Sequence, residues 1–383
     1  MNMSNYSKHM PKKLKIAIFC TTTDTVPPSS KVIHAPLWLT YYLANLLAEK
    51  GHEVTLIAAP KSKSRAKTIN KKITDLKRNK TIKELIQRNL IGTSRRVMAL
   101  NDQTALLDAY TSDAFDIVHA HTELSLPLAA LSKIPTLITY HSSYDEFYNK
   151  LFAYYKNNFK QIYFNSLSNR HSHQAPLISF IQTVHNGIDL KNFSFNKKPK
   201  KDLLFVGRII EEKGPDTAIM VAKKIKLPLE LIGEKFAPKG QREEFWNNKI
   251  QKYLSNNIQY KGIQPHKKTK QYYQNAKILL FPDRWKEAFG LVMIESMACG
   301  TPVIAFNKGA VPEIVKHGIT GYVVKNEKQM IGAVKKIYSM KEDEYIKMRY
   351  ACREHVEKNF SVEKMVDNYE KLYYKIIEQH KNK

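Results

Sequence analysis

Two glutamates stand eight positions apart, at Glu287 and Glu295, in a stretch that is otherwise almost wholly apolar. The surrounding residues predict a loop that leads into a helix over residues 289–299, which Gly300 ends. The first backbone N–H groups of a helix have no intrahelical partners and carry partial positive charge, so they suit a diphosphate. Glu287 would lie just before these groups, and Glu295 about a turn and a half into the helix.

Carboxylates on both sides of a diphosphate could accept hydrogen bonds from hydroxyl groups at both ends of a ligand. A nucleotide sugar is such a ligand, with Glu287 near the transferred sugar and Glu295 near the ribose. The spacing fits equally well one glutamate that caps the helix and another that faces solvent, so spacing alone does not decide between these interpretations.

Two cations, Arg208 and Lys213, are further candidates and occur in the stretch FVGRIIEEKGPD. The arginine would end a strand, and the lysine would precede a helix that starts near Pro215. A planar guanidinium and a compact ammonium both suit phosphate oxygens. The alternative is that they are two surface cations among 62 Lys and Arg residues. Gly207 allows close approach of the backbone to a ligand, which favours the binding interpretation.

The whole chain alternates short apolar runs with helical patterns, which predicts parallel sheets covered by helices and therefore an α/β fold. A segment at 189–201 is polar, basic and without periodicity, so we interpret it as containing a linker. We predict strands at residues 15–20, 53–59, 116–121, 136–141, 161–166, 180–187, 202–208, 229–234, 257–262, 277–282 and 302–306.

This pattern predicts two Rossmann-like units, over residues 1–190 and 202–360, joined by a linker at 191–201. A helix over 361–383 carries a single apolar stripe, so it must pack on another element, and we expect it to return to the first unit. The stripe consists of Val362, Met365, Val366, Tyr369, Leu372, Tyr373 and Ile376.

Polar residues follow the predicted strands of both units. His119 and His121 end one strand of the first unit and His141 another, while Arg208 ends the first strand of the second unit. In open parallel sheets, ligands bind beyond the carboxyl ends of the strands. Two such faces opposite each other would form a cleft between the units, which is a common position for a ligand.

Composition sets the broad class of the protein. The 383 residues are 43% hydrophobic, which indicates a globular chain. No apolar run reaches the roughly 18 residues that a membrane span needs, and the first apolar run is too short for a signal peptide, so we expect a cytoplasmic protein. The three cysteines form no spaced pair, so we expect buried thiols with neither disulfides nor a zinc site.

The formal net charge is +27, and the densest basic segment lies at residues 61–96, with thirteen Lys and Arg residues against two acids. One interpretation is a solvated helical face. The other is a surface that attracts anionic membrane lipids or an anionic acceptor, which would place the protein peripherally on the inner face of a membrane. We do not expect nucleic acid as a partner, because no aromatic interleaving accompanies the charge.

The stretch EAFGLVMIE, followed by SMACGTPVIAFNKGAVPEIV, resembles glycosyltransferase family 4, a large family of retaining enzymes of the GT-B fold. The stretches DIVHAH, VHNGID and VGRIIEEKG stand in the order and spacing expected for that family. The resemblance covers nearly the whole chain, and its second half carries the more specific motifs. It implies two Rossmann-like domains that face each other across a cleft.

The resemblance also implies roles for individual residues on the donor side. Arg208 and Lys213 would hold the diphosphate and neutralise charge on the leaving nucleotide. Glu287 would bind hydroxyl groups of the donor sugar and Glu295 those of the ribose, and His141 would lie near the anomeric carbon. Backbone amides that contact the sugar and the phosphates would come from Phe289, Gly290 and Leu291.

On the acceptor side, the resemblance places His119, His121 and Glu123. Members of the family often carry a glycine-rich turn after the first strand, and here that loop contains no glycine. Ser29, Ser30 and Lys31 occupy roughly its place, where hydroxyl groups and a lysine could meet phosphate or acceptor.

The implied activity is transfer of a hexose-type sugar from a nucleotide-diphosphate sugar to a hydroxyl group, with retention, in the synthesis of cell-surface glycans or glycolipids. We expect no metal and no other cofactor, since the sequence shows neither a D-x-D pair nor a clustered ligand set. The acceptor would be a glycan or a lipid-linked sugar. The alternative is a basic module that binds membrane or nucleic acid without catalysis. A Rossmann dehydrogenase is not expected, because no G-x-G-x-x-G follows the first strand.

Overall fold

The computed structural model describes residues 12–29, 35–70, 79–87, 91–112, 114–200, 202–235 and 241–382, which form two parallel sheets with helices on both faces. The strands of the first sheet are β1 (Lys15–Phe19), β2 (Glu53–Ile57), β3 (Lys67–Ile69), β4 (Ile117–Ala120), β5 (Thr136–Thr139), β6 (Ile162–Ser166) and β7 (Gln182–Thr183). Those of the second are β8 (Leu203–Val206), β9 (Leu229–Ile232), β10 (Ile258–Tyr260), β11 (Ile278–Phe281), β12 (Val303–Phe306) and β13 (Gly321–Val324).

The helices that follow and cover these strands come in chain order. In the first half they are α1 (Ala35–Glu49), α2 (Lys80–Gln87), α3 (Ile91–Thr111), α4 (Leu126–Leu131), α5 (Glu146–Asn158) and α6 (Asn169–Ser172). In the second half they are α7 (Pro215–Ile225), α8 (Gln241–Phe245), α9 (His266–Asn275), α10 (Leu291–Ala298), α11 (Val311–Ile314), α12 (Glu327–Tyr338), α13 (Glu342–Asn359) and α14 (Val362–Lys381).

The strand orders place a crevice in each sheet. The first sheet has the order β3-β2-β1-β4-β5-β6-β7 and the second β10-β9-β8-β11-β12-β13, and every pair is parallel. The order therefore reverses between β1 and β4 and again between β8 and β11. Beyond the carboxyl ends of such strands the loops diverge and leave room for a ligand. The predicted α/β fold of two Rossmann-like units is confirmed.

Helix α14 packs on the first unit. All seven residues of its predicted apolar stripe are buried, and they belong to one core cluster with residues of β1, β2 and α1. The chain reaches α14 by crossing back beside the segment that left the first unit. There the Ile188 N–H donates to the Phe360 carbonyl (2.9 Å), and the Val362 N–H donates to the Ile188 carbonyl (3.0 Å). A Cβ on Gly187 would collide with the backbone of Ser361, so only glycine allows this crossing.

Three short strands differ from the prediction. The sequence patterns predict neither β3 nor β13. β3 is only three residues long and lies within the basic segment, and β13 follows a glycine-containing turn that has few apolar residues. The strand predicted over residues 180–187 shrinks to β7, Gln182–Thr183. All three cysteines are buried free thiols, as predicted. Among the residues with described positions, no helix combines the length and apolarity that crossing a membrane requires.

Candidate active site

The loops beyond β8 and β11 face those beyond β4 and β5 across the gap between the two sheets. Eight residues predicted from the sequence line one cavity of about 290 Å³ in this gap, which we call the central cavity. They are His141, Gly207, Arg208, Lys213, Glu287, Phe289, Gly290 and Leu291. The predicted donor-side residues are therefore brought together, with the exception of Glu295.

Lys213 occupies the centre of an ionic cluster. Its Nζ lies 2.8 Å from the Asp283 Oδ2 and also contacts the Glu287 carboxylate. Only 14% of the Lys213 side chain is exposed. Burial lowers the pKa of its ammonium, and the charge of Asp283 opposes that shift. A cation held between two carboxylates at the edge of a cavity can exchange one of them for an incoming anion.

Asp283 is a site residue that the sequence reasoning missed. It follows β11 by two positions and is 2% exposed, and its Oδ1 accepts the Trp285 N–H (2.8 Å). Burial raises the pKa of the Asp283 carboxyl, while Lys213 acts in the opposite direction. Its position could have indicated a role in the site, because Asp283 directly follows a predicted buried strand, where ligand-binding loops begin.

The loop over residues 283–290, which carries Glu287, is fixed from two sides. Arg284 forms a bidentate pair with Asp216 (3.0 and 2.7 Å), which ties the start of the loop to α7. The Ala310 N–H donates to the Glu287 carbonyl (3.0 Å). Gly309 has a φ of 46°, and a Cβ there would collide with the backbone of Glu287. The backbone of Glu287 is therefore held, while its side chain, 22% exposed, reaches the central cavity.

Helix α10 begins beside this loop, as predicted. Its N-cap, Gly290, has a φ of 93°, and no side chain caps the first turn. Since no side chain caps this end, backbone N–H groups beside the central cavity remain available to an anion.

Glu295 faces a second cavity of about 180 Å³, which we call the aromatic cavity and define by Trp38, Tyr42, His266, Tyr273 and Glu295. Its carboxylate accepts a hydrogen bond from the Tyr273 hydroxyl (2.8 Å). Burial raises the pKa of Glu295, and His266 nearby opposes the shift.

The two cavities adjoin. Arg208 is exposed, and it lines both cavities together with Gly207 and Leu291. Trp38 of the first unit stacks on His266 of the second, with ring centroids 5.2 Å apart, at the boundary of the aromatic cavity. The sequence reasoning missed Trp38, His266 and Tyr273, because nothing in their local sequence places them opposite one another.

His141 lies between the central cavity and a third cavity of about 330 Å³, which we call the histidine cavity and define by Thr21, Asp102, His121, Glu123 and His141. The Nδ1 of His121 is 2.9 Å from the Nε2 of His141. His121 and Glu123 thus line the space next to the central cavity, on the first unit, where the sequence reasoning placed the acceptor.

The prediction that His119 lies on the acceptor side is wrong. His119 is fully buried, with its two ring nitrogens bonded to Tyr373 (2.7 Å) and Thr139 (2.7 Å), so it contributes to the core. Ser29 is exposed and lines none of the three cavities. Ser30 and Lys31 lie outside the described residues.

Direct hydrogen bonds join the two units beside the central cavity. The Ser168 hydroxyl donates to the Ala288 carbonyl (3.0 Å), and the Ser143 hydroxyl donates to the Lys286 carbonyl. Within the described part of the chain, no group of three or more His, Cys, Asp or Glu side chains is arranged to hold a metal ion.

Two family models match consecutive parts of the chain. The model described as Glycosyltransferase Family 4 matches residues 38–192, and that described as Glycosyl transferases group 1 matches residues 188–359. An uncharacterized 41.2 kDa protein of the cps region of Klebsiella pneumoniae is 31% identical over 46% of this chain. An N-acetyl-alpha-D-glucosaminyl L-malate synthase of Bacillus anthracis is 40% identical over 25% of this chain. The matches span 47% and 26% of the lengths of these two relatives.

Solved structures share the fold over most of the chain. A sucrose-phosphate synthase from Thermosynechococcus elongatus has a TM-score of 0.74 at 19% identity, covering 95% of this chain and all of that one. Anabaena HepE in complex with UDP and glucose has a TM-score of 0.69 at 13% identity, covering 94% of this chain and all of that one.

Proposed function

Because the chain belongs to glycosyltransferase family 4, we propose that it transfers a hexose-type sugar from a nucleotide-diphosphate sugar to an acceptor hydroxyl group, with retention at the anomeric carbon. The two family models support sugar transfer, and the solved structures share the GT-B fold. The donor, the stereochemical course and the acceptor are further parts of the proposal.

The observation that carries the proposal is the row of groups across two adjoining cavities. Glu287 and Lys213 lie in the central cavity, Glu295 lies in the aromatic cavity, and Arg208 lines both. A diphosphate beside Arg208, Lys213 and the amino end of α10 would direct its nucleoside toward Glu295 and its sugar toward Glu287. Arginine, lysine and free helix N–H groups are the partners that phosphates prefer.

Donor binding would rearrange the ionic cluster. In the structure Lys213 contacts both Asp283 and Glu287. A phosphate oxygen would compete with Glu287 for the ammonium, while buried Asp283 would keep Lys213 in place. The carboxylate of Glu287, released from Lys213, could then accept hydrogen bonds from sugar hydroxyl groups.

The transfer step would proceed on one face of the sugar. The bond from the anomeric carbon to the diphosphate oxygen breaks, and its electrons leave with the nucleoside diphosphate. The acceptor oxygen bonds to the anomeric carbon on the same face, and its proton passes to the departing phosphate oxygen. Arg208 and Lys213 would stabilise the charge that develops on that oxygen, so catalysis would rest on electrostatics and positioning.

These two cations also support our proposal that the reaction needs no metal. They supply positive charge where a divalent ion would otherwise neutralise the diphosphate. Activity that survives EDTA treatment is the expected result. Activity that EDTA abolishes and Mg²⁺ or Mn²⁺ restores would contradict this part of the proposal.

A panel of UDP-, GDP- and ADP-sugars tests the function directly, by release of nucleoside diphosphate. UDP-sugars come first, because a structural neighbour is in complex with UDP and glucose. The anomeric coupling in the NMR spectrum of the product tests retention. Arg208→Ala should lower the rate by at least about 10²-fold, the usual scale for one preorganised charged partner. If the protein consumes none of these donors, the alternative of a basic binding module gains support.

We further propose a glycan or lipid-linked acceptor and peripheral contact with anionic membrane through residues 61–96, within cell-surface glycan or glycolipid synthesis. In the described part of this segment, Lys80 and Lys83 of α2 are exposed while Ile82 is buried, so the two lysines of α2 face solvent. Binding to anionic liposomes that weakens as salt rises is expected. Equal binding to neutral liposomes would contradict the membrane contact.

A further inference from the structure

Glu313 of α11 belongs to the second unit, yet its carboxylate contacts the first unit. Its Oε2 accepts the Asn169 N–H (2.8 Å) and its Oε1 accepts the Arg170 N–H (2.6 Å), at the start of α6. The Nε2 of His185, also in the first unit, lies 3.7 Å from the same Oε2. Burial raises the pKa of the Glu313 carboxyl, but these three contacts lower the pKa by more, so the group is charged at neutral pH. Both oxygens of a charged carboxylate therefore hold the backbone of the opposite unit.

Glu313 supplies acceptors that α6 itself lacks. Asn169 and Arg170 are the first two residues of α6, and the first N–H groups of a helix have no acceptor within that helix. The Ser168 hydroxyl caps the same end of α6, but it accepts the His171 N–H (3.0 Å) instead. If the two units move apart, the N–H groups of Asn169 and Arg170 lose their acceptor, because the other unit carries it.

α6 also holds one side of the central cavity. Burial lowers the pKa of His171 to about 4, so its ring is neutral at pH 7. Its Nδ1 accepts the Leu167 N–H (3.2 Å), so the ring proton is on Nε2, which donates to the Ser142 carbonyl (2.9 Å). Ser142 directly follows His141, which lines the central cavity. The position of α6 therefore helps to fix the backbone next to His141.

The start of α6 meets the other side of the cavity, at the loop that carries Glu287. The Ser168 hydroxyl donates to the carbonyl of Ala288, the residue after Glu287 (3.0 Å). The Ala310 N–H donates to the Glu287 carbonyl, and the Ala310 carbonyl accepts the Glu313 N–H (2.9 Å). Two residues of α11 are buried in the core of the second unit. Glu313 and the backbone support of Glu287 are therefore parts of one short, anchored segment.

We propose that Glu313 is a positioning residue, which holds α6 and thereby sets the loop of Glu287 against the backbone of His141 across the cleft. The two sides of the central cavity come from different units, and Glu313 joins the supports of both. Without this contact the two sides would keep their own structures but lose their relative placement. The contact is independent of the proposed function, whereas its effect on sugar transfer rests on that function.

Hydrogen exchange at the N–H groups of Asn169 and Arg170, followed by NMR, tests the contact on the full chain without any substrate. Glu313→Gln removes the charge, keeps one oxygen and turns an amide NH₂ toward the second N–H. We expect both groups to exchange at least about tenfold faster in Glu313→Gln than in wild type. The matched control is Glu327→Gln, because the Glu327 carboxylate pairs with Lys224 (2.9 Å) within the second unit, and it should leave this exchange unchanged. Exchange at the same rate in wild type and Glu313→Gln overturns the proposal whether or not the protein transfers sugar.

Turnover tests the positioning role. The charged partners proposed for the nucleotide, Arg208, Lys213 and Glu295, all belong to the second unit and stay together if the units separate. Glu313→Gln should therefore lower kcat about tenfold, as for one hydrogen bond to a charged group, and leave the Kd of the nucleoside diphosphate within about threefold. Glu327→Gln should keep both the wild-type kcat and the wild-type Kd.

Three results separate the possibilities. If exchange becomes faster in Glu313→Gln but kcat stays at the wild-type value, the positioning role is refuted. If kcat falls equally in Glu313→Gln and Glu327→Gln, the effect is a general loss of stability in the second unit, and the proposal fails. If exchange changes as expected but wild type consumes no donor sugar, the proposed function fails together with the effect on transfer, and the contact between the units stands.

Discussion

Replacing Lys213 should cost the protein both activity and stability, whereas replacing Arg208 should cost activity alone. Lys213 is 14% exposed and its partner Asp283 2% exposed, so Lys213→Met leaves a buried carboxylate without its cation. Breaking a buried pair from one side typically costs 3–5 kcal/mol. We take about 3 kcal/mol, because Lys213 borders a cavity, and this lowers Tm by roughly 6–12 °C for a unit of this size. Arg208 is exposed, and Arg208→Met should stay within about 0.5 kcal/mol of wild type.

The double variant Lys213→Met/Asp283→Asn isolates the cause. It removes the charge that Lys213→Met leaves unpaired and keeps the Trp285 N–H partner at Oδ1. We expect most of the lost Tm to return, while the transfer rate stays at least about 10²-fold below wild type. Thermal unfolding and donor turnover on the same four proteins provide the measurement. The buried-pair argument would be refuted if Lys213→Met had the Tm of wild type, or if the double variant were no more stable than Lys213→Met.

Three further outcomes follow from contacts outside the ionic cluster. Tyr273→Phe removes the hydroxyl that donates a hydrogen bond to the Glu295 carboxylate. The Kd of the nucleotide, measured by calorimetry, should therefore rise about tenfold with little change in kcat. An unchanged Kd would contradict the role of Glu295. Burial raises the pKa of the Glu370 carboxyl, but its hydrogen bonds lower the pKa by more, and the one from Lys50 contributes the largest part of that lowering. The resulting pKa lies below the usual 4.5. The stability that this lowered pKa contributes is complete above about pH 4.5 and is lost as the pH falls. The difference in Tm between wild type and Glu370→Gln should therefore disappear in acid. A difference in Tm that does not change with pH would contradict this. Deleting residues 361–383 removes a buried face of the first core, so the first unit should lose its cooperative unfolding in calorimetry, and a stable, active truncation would contradict the packing described.

The sequence predicted the central cavity well, because its residues lie at strand ends and at a helix start, which are local features. Arg208, Lys213 and Glu287 each follow a strand of the second sheet within seven residues. Since parallel strands end at the same edge, short-range patterns were enough to bring these residues together. The start of α10 was likewise predictable, from the glycine before it and the apolar residues within it.

The residues that the sequence did not reveal depend on contacts between distant segments. Tyr273 meets Glu295 only because α9 lies against α10, and Trp38 meets His266 only because the two units face each other. The wrong prediction for His119 has the same cause. His121 directly follows β4, whereas His119 lies within β4 two residues earlier, where it is covered by Tyr373 of α14, 254 positions later in the chain.

The two chain segments that cross between the units lie next to each other. The outgoing chain at Ile188 and the returning chain at Ser361 run side by side, and Gly187 and Ile188 also border the aromatic cavity. An opening of the cleft that keeps this pairing is a rotation about these two segments. It would part the contacts that join the units elsewhere, which include the bonds from Ser143 and Ser168 to the loop over residues 283–290 and the stack of Trp38 on His266. Both cavities would therefore reach their described shape only on closing.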